Sequence, residues 1–155
     1  MAILKIKKYP DPVLRVKCKE VETVDSEIRH LLDDMAMTMY SVNGVGLAAP
    51  QVGLDIRIVV IDIGEGLLKL VNPKIIEQQG LSIIEEGCLS VPDVYVKVRR
   101  AAKLEVSCLD EYGKPQLFHA EGLLAHAMQQ EIDHINGKLI IDYLPLYKRL
   151  FIKKG

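Results

Sequence analysis

Apolar residues at Ile28, Leu31, Leu32, Met35 and Met39 recur at the spacing of one helical face, which predicts an amphipathic helix. Asp25 can cap its start with a side-chain oxygen, and Asn43-Gly44 supplies residues on which a helix can stop. A second helix is expected from about Glu121 to Ile135, closed by Asn136-Gly137. Elsewhere the pattern is that of strands. Ile56 to Ile63, with Ile58 to Ile61 apolar throughout, suits a buried strand, and Leu68 to Val71 is another strand, expected to end at Asn72-Pro73. Lys74 to Glu77 and Leu81 to Glu85 flank Gln78-Gln79-Gly80 as the arms of a hairpin would. Tyr95 to Arg100, Lys103 to Leu109 and Gln116 to Phe118 alternate, with Glu111 to Lys114 as the turn between the last two. The tail, Pro145 to Gly155, predicts one short helix. Strands on short connections with few helices imply an α+β fold, antiparallel strands packed around a central helix, with residues 1–155 forming one domain.

Composition narrows the classes of function. The chain is 155 residues long with 20 Lys and Arg against 21 Asp and Glu, a formal net charge of -1. That balance lacks the basic footprint of a dedicated DNA binder. The N-terminus mixes Lys5, Lys7 and Lys8 with isolated apolar residues and has no export signal, and no run reaches the roughly 18 apolar residues of a membrane span. A cytoplasmic protein with reduced Cys18, Cys88 and Cys108 is the expectation.

Chemistry enters with the second helix. Gln130, Glu131, Ile132, Asp133 and His134 differ by one residue from H-E-x-x-H, in which two imidazoles four positions apart clasp a metal and the Glu handles protons. On a helical wheel Leu124, Met128, Glu131 and Ile135 share a line, with Ala127 and His134 beside them. Glu131 therefore sits in an apolar stripe, where a carboxylate is costly unless paired, hydrogen-bonded or next to a metal. A tolerated polar residue on a half-exposed face is the plain alternative. His126 lies eight positions before His134, roughly 12 Å along the axis and on the polar side, so it cannot replace the missing imidazole and is expected to be exposed or at a pocket rim.

Two further segments add reactive groups. Cys88 lies in Glu86-Gly87-Cys88-Leu89-Ser90, an irregular stretch from which a thiol can reach a site, whereas Cys108 reads as core packing and Cys18 as inert. Gly44-Val45-Gly46-Leu47-Ala48-Ala49-Pro50-Gln51 is small and flexible enough to bring backbone N–H and C=O groups against an extended peptide. It lacks the ending of a phosphate-binding loop.

G-V-G-L-A-A-P-Q, E-G-C-L-S and the E-x-D-H helix, in this order, resemble peptide deformylase, and the likeness extends over nearly the whole chain. Tyr9 to Leu14, Asn72-Pro73, Asp110 to Lys114 and Gly137 to Leu144 fit it too. The resemblance implies a metal-dependent hydrolase that removes the formyl group from N-formyl-methionyl peptides. It implies Cys88 and His134 as metal ligands with Gln130 in the third ligand's place, and Glu131 as the acid-base. Gln51 and the backbone N–H of Leu89 match the groups that hold the oxyanion. Gly44, Val45, Gly46 and Gly87 line the peptide edge, Val45, Ile84, Leu123 and Ala127 are candidates for the methionine pocket, and Glu86 and Arg100 match a supporting ion pair. Iron(II) is the family's usual metal, with zinc or nickel as alternatives that a thiolate and imidazoles also suit.

Gln130 is the departure. An amide oxygen is a weak ligand for such an ion, so this copy is expected to bind metal poorly or hydrolyse slowly. An altered codon, a paralogue that has lost catalysis and a site tolerant of amide ligation all account for it. A non-catalytic module that only holds formylated or extended peptides is the alternative to the hydrolase, and an ordinary zinc peptidase fits the Cys88 and glycine segments poorly. The basic residues Lys148, Arg149, Lys153 and Lys154 would suit docking on the ribosome, although such tails more often solubilise.

Overall fold

The computed structural model describes residues 2–152, so Lys153 and Lys154 of the basic tail lie outside the described residues. Helix α1 spans Ser26–Ser41 and α2 spans Gly122–Ile135. Asp25 caps α1 by accepting from the Ile28 N–H at 3.1 Å. Both helices end in the same local device, a residue with positive φ (Asn43 at 56°, Gly137 at 79°). The following N–H groups, of Gly44 and Lys138, turn back to the carbonyls of Met39 and Asp133. At Gly137 a Cβ would also lie 2.6 Å from the Arg15 carbonyl oxygen, so glycine is required there twice over. The tail helix is one turn, α3, Leu146–Arg149.

Among the described residues, seven strands form two antiparallel sheets. Strands β1 (Gly46–Ala48), β2 (Ile58–Ile61), β3 (Leu68–Gln79), β6 (Lys103–Leu109) and β7 (Pro115–Glu121) make a five-stranded sheet in the order β1-β2-β3-β6-β7, and β4 (Ser82–Cys88) pairs with β5 (Val91–Arg100). The larger sheet lies between the helices. Alternate residues of β2 face opposite sides, Val59 and Ile61 toward the α2 cluster with Met128 and Ile135, Ile58 and Val60 toward the α1 cluster with Leu32, Met35 and Met39. All four are buried, which is why this strand reads as an unbroken apolar run.

Three expectations change. The strand beginning at Leu68 does not end at Asn72-Pro73 but continues to Gln79, because Asn72, at φ 51°, takes up a shift in the pairing with β6. The Asn72 side chain holds that irregularity by bonding the N–H and C=O of Val21 at 2.8 and 2.9 Å. The arms around Gln78-Gln79-Gly80 do not pair as a hairpin. Gln78 and Gln79 face Leu104 and Lys103 of β6, so that edge of β3 is occupied, and β4 leaves to pair with β5 from Ser82↔Arg100 onward. Finally, Cys88 is not in an irregular stretch but ends β4, and part of the glycine segment is β1, an edge strand paired with β2 alone.

Candidate functional site

Edge strand β1 and the end of β4 face each other across a cleft of about 380 Å³, with α2 behind it. Gly44, Val45, Gly46, Gln51, Gly87, Cys88, Leu89, Gln130 and Glu131 all line this cleft. Ile84, Leu123 and Ala127 stand outside its lining: Leu123 is half exposed, Ala127 is buried and Ile84 lies in between. Sequence reading also missed part of the wall, since Ile6, Lys8, Val42, Asn43 and Pro92 to Tyr95 contribute to it. Nothing in the periodicity around Tyr95 distinguishes a groove residue from an ordinary exposed strand position.

Behind the cleft, Cys88 Sγ lies 3.4 Å from His134 Nε2. Gln51 is buried, and its amide orientation is set by chemistry: Oε1 accepts from the Ala48 N–H at 3.0 Å, so the NH2 end faces Ser90 Oγ at 3.2 Å and Cys88 Sγ at 3.7 Å. Ser90, fully buried, is a support that sequence reading left unassigned although it lies within the Glu86–Ser90 motif. Gly46 is explained by close approach. A Cβ there would lie 2.5 Å from Glu131 Oε2, so the Glu131 carboxyl fills the space that a side chain on β1 would need.

Burial dominates the electrostatics. It pushes the Cys88 thiol up to about 12, with the Glu131 carboxyl adding to the rise while the Ser90 and Val91 N–H groups and Lys8 oppose it. It pushes Glu131 up to about 8 against the pull of Arg100, and drives His134 down to about 4, against Asp133. At neutral pH the three are therefore a thiol, a carboxylic acid and a neutral imidazole. Among the described residues, Glu131 Oε1 and His134 Nδ1 are the buried side-chain polar atoms with no hydrogen-bond partner in the protein.

His126 is neither exposed nor at a rim, contrary to expectation. It is 2% exposed, its Nδ1 lies 2.9 Å from Glu86 Oε2 and its Nε2 lies 3.0 Å from Ser82 Oγ. Since a carboxylate only accepts, Nδ1 carries a hydrogen. The reason is the small sheet: β4 covers the side of α2 that looks polar on a helical wheel. Arg100 binds Glu86 through two bonds of 2.6 and 2.7 Å and reaches Asp133 at 2.9 Å, while the Tyr143 hydroxyl donates to Asp133 at 2.6 Å. This buried network joins the strand that ends in Cys88 to the helix that carries Glu131 and His134.

Two donors on one metal, at ordinary zinc–sulfur and zinc–nitrogen distances, stand about 3.5 Å apart, so Cys88 and His134 suit a shared ion. The set then falls one donor short. Gln130 turns its NH2 end to the Gly87 carbonyl at 2.9 Å, and among the described residues no group of three His, Cys, Asp or Glu could hold a metal ion. A full three-ligand centre is therefore not what these residues fit.

A groove walled by a sheet edge, with a thiol, an imidazole and a buried carboxyl brought together at its back, has the ingredients of an amide hydrolase's site. The sequence model described as polypeptide deformylase matches residues 3–149. Curated relatives include the peptide deformylases of Halothermothrix orenii, 54% identical over 92% of this chain and 94% of its own length, and of Caldicellulosiruptor bescii, 52% identical over 92% and 86%. Among solved structures, a peptide deformylase from Legionella pneumophila matches with a TM-score of 0.94 at 49% identity, covering 97% of this chain and 91% of that one. The Ehrlichia chaffeensis peptide deformylase in complex with actinonin matches at 0.96 and 40% identity, covering 98% and 94%. The chain belongs to the polypeptide deformylase family.

Proposed function

We propose that this protein removes the N-formyl group from formyl-methionyl peptides at the start of newly made chains, and that residues 1–155 act as one domain in doing so. The observation that carries the reading is the 3.4 Å approach of Cys88 to His134, with buried Glu131 beside them at the back of the cleft. An extended peptide would lie along Gly44, Val45, Gly46 and Gly87, adding to the open edge of β1. Its methionine would go toward Val45, Ile84, Leu123 and Ala127. Gln51, whose NH2 group points at Cys88, and the Leu89 N–H would share the charge on the formyl oxygen. In its ionised form Glu131 would take the proton of the attacking water and then, as the acid, deliver it to the leaving amine; a carboxyl displaced to about 8 can reach both forms near neutral pH.

Cys88 and His134 are the residues that would hold a divalent ion, iron(II) first and zinc or nickel after it, with Gln130 in the third place. Gln130 does not complete the set. This copy is accordingly a slow hydrolase, and the contact from Gln130 to Gly87 favours, as second reading, a protein that binds formylated or extended peptides without turning them over. No helix among the described residues is long and apolar enough to cross a membrane, and we place the protein in the cytoplasm. Lys148 and Arg149 on α3 are where docking on the ribosome would be sought.

The test is formate release from a formyl-Met peptide, with metal content measured on the same sample, for the natural chain and for Gln130→His. Turnover that rises with metal content in the variant supports the reading. Neither metal nor turnover in either protein refutes it.

A further inference from the structure

We propose that Gln130 is a positioning residue, a clasp that does with a hydrogen bond what an ion would otherwise do: it ties α2 to the end of β4 and keeps the Cys88 site assembled without metal. The inference rests on Cys88 and His134 being the ion's donors. Three straps run from β4 to α2. Ser82 and Glu86 both bond His126, Glu86 reaches Asp133 through Arg100, and the Gly87 carbonyl accepts from Gln130 Nε2 at 2.9 Å. The last strap is one residue from Cys88. It falls where support is most needed, since the pairing of β4 with β5 slips between Gly87↔Tyr95 and Cys88↔Val91. A carbonyl only accepts, so the contact fixes the amide with its NH2 group on Gly87. An imidazole at the same place would use its lone pair on a cation, and the ion would close the link between strand and helix. Here the side chain closes it directly.

The experiment uses the full chain, with cobalt(II) alone as the metal probe, and three readouts: Tm with and without EDTA, the thiolate-to-cobalt absorption band, and the labelling rates of Cys88, Cys18 and Cys108 by a disulfide reagent. The natural protein should keep its Tm in EDTA and show no band at cobalt concentrations that saturate Gln130→His. Gln130→Ala should lose about 2–4 °C with or without EDTA. Its Cys88 should label about 5-fold faster, while Cys18 and Cys108, both buried in other parts of the fold, keep their rates. Gln130→Met, of similar length and without a donor, should reproduce this if the Ala variant folds poorly. Gln130→His should take up one equivalent of cobalt at least about 100-fold more tightly than the natural chain, with a Tm that now drops in EDTA. A strong band in the natural protein would make Gln130 a ligand and overturn the clasp. So would unchanged Cys88 labelling in both Ala and Met variants, or an equal rise at all three cysteines. If Gln130→His takes no cobalt, the donor assignment beneath the proposal is what fails.

Discussion

Replacing Glu131 by Gln should stabilise the metal-free protein relative to the parent chain by an amount that grows as the pH rises from about 5 to about 8. Glu131 is an acid whose folded-state pKa, about 8, lies above its ordinary 4.5, chiefly because it is buried, with Oε1 lacking any protein partner. Protonated, it costs little, so its contribution is fully present below the unfolded value and is lost as the pH climbs through the folded one. The cost accrues at up to ~1.4 kcal/mol per pH unit between the two pKa values and more slowly near each of them. From about pH 5 to about pH 8 the natural chain should therefore lose roughly 3 kcal/mol that Glu131→Gln retains. The variant has nearly the same volume and no proton to lose. For a chain of this size the difference amounts to about 6–12 °C in Tm at the alkaline end. Urea unfolding in EDTA across the pH series, natural protein minus variant, isolates this one group, because His134, Cys88 and the surface charges are common to both. Parallel stability curves over the window would refute the reasoning and would mean that the carboxyl is hydrated or charge-compensated in the folded state.

Gly46→Ala should cost about 1–3 kcal/mol by driving a Cβ to 2.5 Å from Glu131 Oε2, and Glu131→Ala in the same chain should recover most of the loss in a thermal-melt double-mutant cycle. Arg100→Met should cost about 3–5 kcal/mol in urea unfolding, since it leaves the Glu86 carboxylate buried without its guanidinium partner. In the Gln130→His background, Gln51→Leu should slow formate release by about 10²–10³-fold with metal content unchanged, as expected for loss of an oxyanion donor.

What could be read from the chain follows from how local each feature's cause is. Both long helices and their stops were legible because the periodicity, the positive-φ stop and, for α1, the Asp25 cap are each set by residues close to one another in the sequence. The same holds for β6, whose alternation from Lys103 to Leu109 matches its bounds, and for β7, which extends a few residues beyond the expected Gln116 to Phe118. The continuation of β3 through Asn72-Pro73 was not legible, because the side chain that holds the bulge is bonded to Val21, 51 residues earlier. The hairpin failed for a similar reason. Gln78-Gln79-Gly80 is compatible with a turn, but which strand fills the edge of β3 is decided by β6, about 25 residues later.

The site shows the same division, with a physical reason that concerns α2 itself. A helical wheel assigns one face to the core and one to solvent, and on that basis Glu131 and His134 are buried while His126 is exposed. Yet nine of its fourteen residues are buried, because the main sheet packs on one side and the β4–β5 pair on the other. Beyond its first turn a helix enclosed in this way has little solvated surface on which to park a polar residue, so each one must find a partner or a task. His126 finds Glu86 and Ser82, and Gln129 bonds the Ala101 N–H and C=O. Gln130 finds Gly87, which leaves only Glu131 Oε1 and His134 Nδ1 unmatched. Within a helix so fully partnered, the two atoms without partners lie on Glu131, which lines the cleft, and on His134, whose Nε2 meets Cys88 Sγ at 3.4 Å.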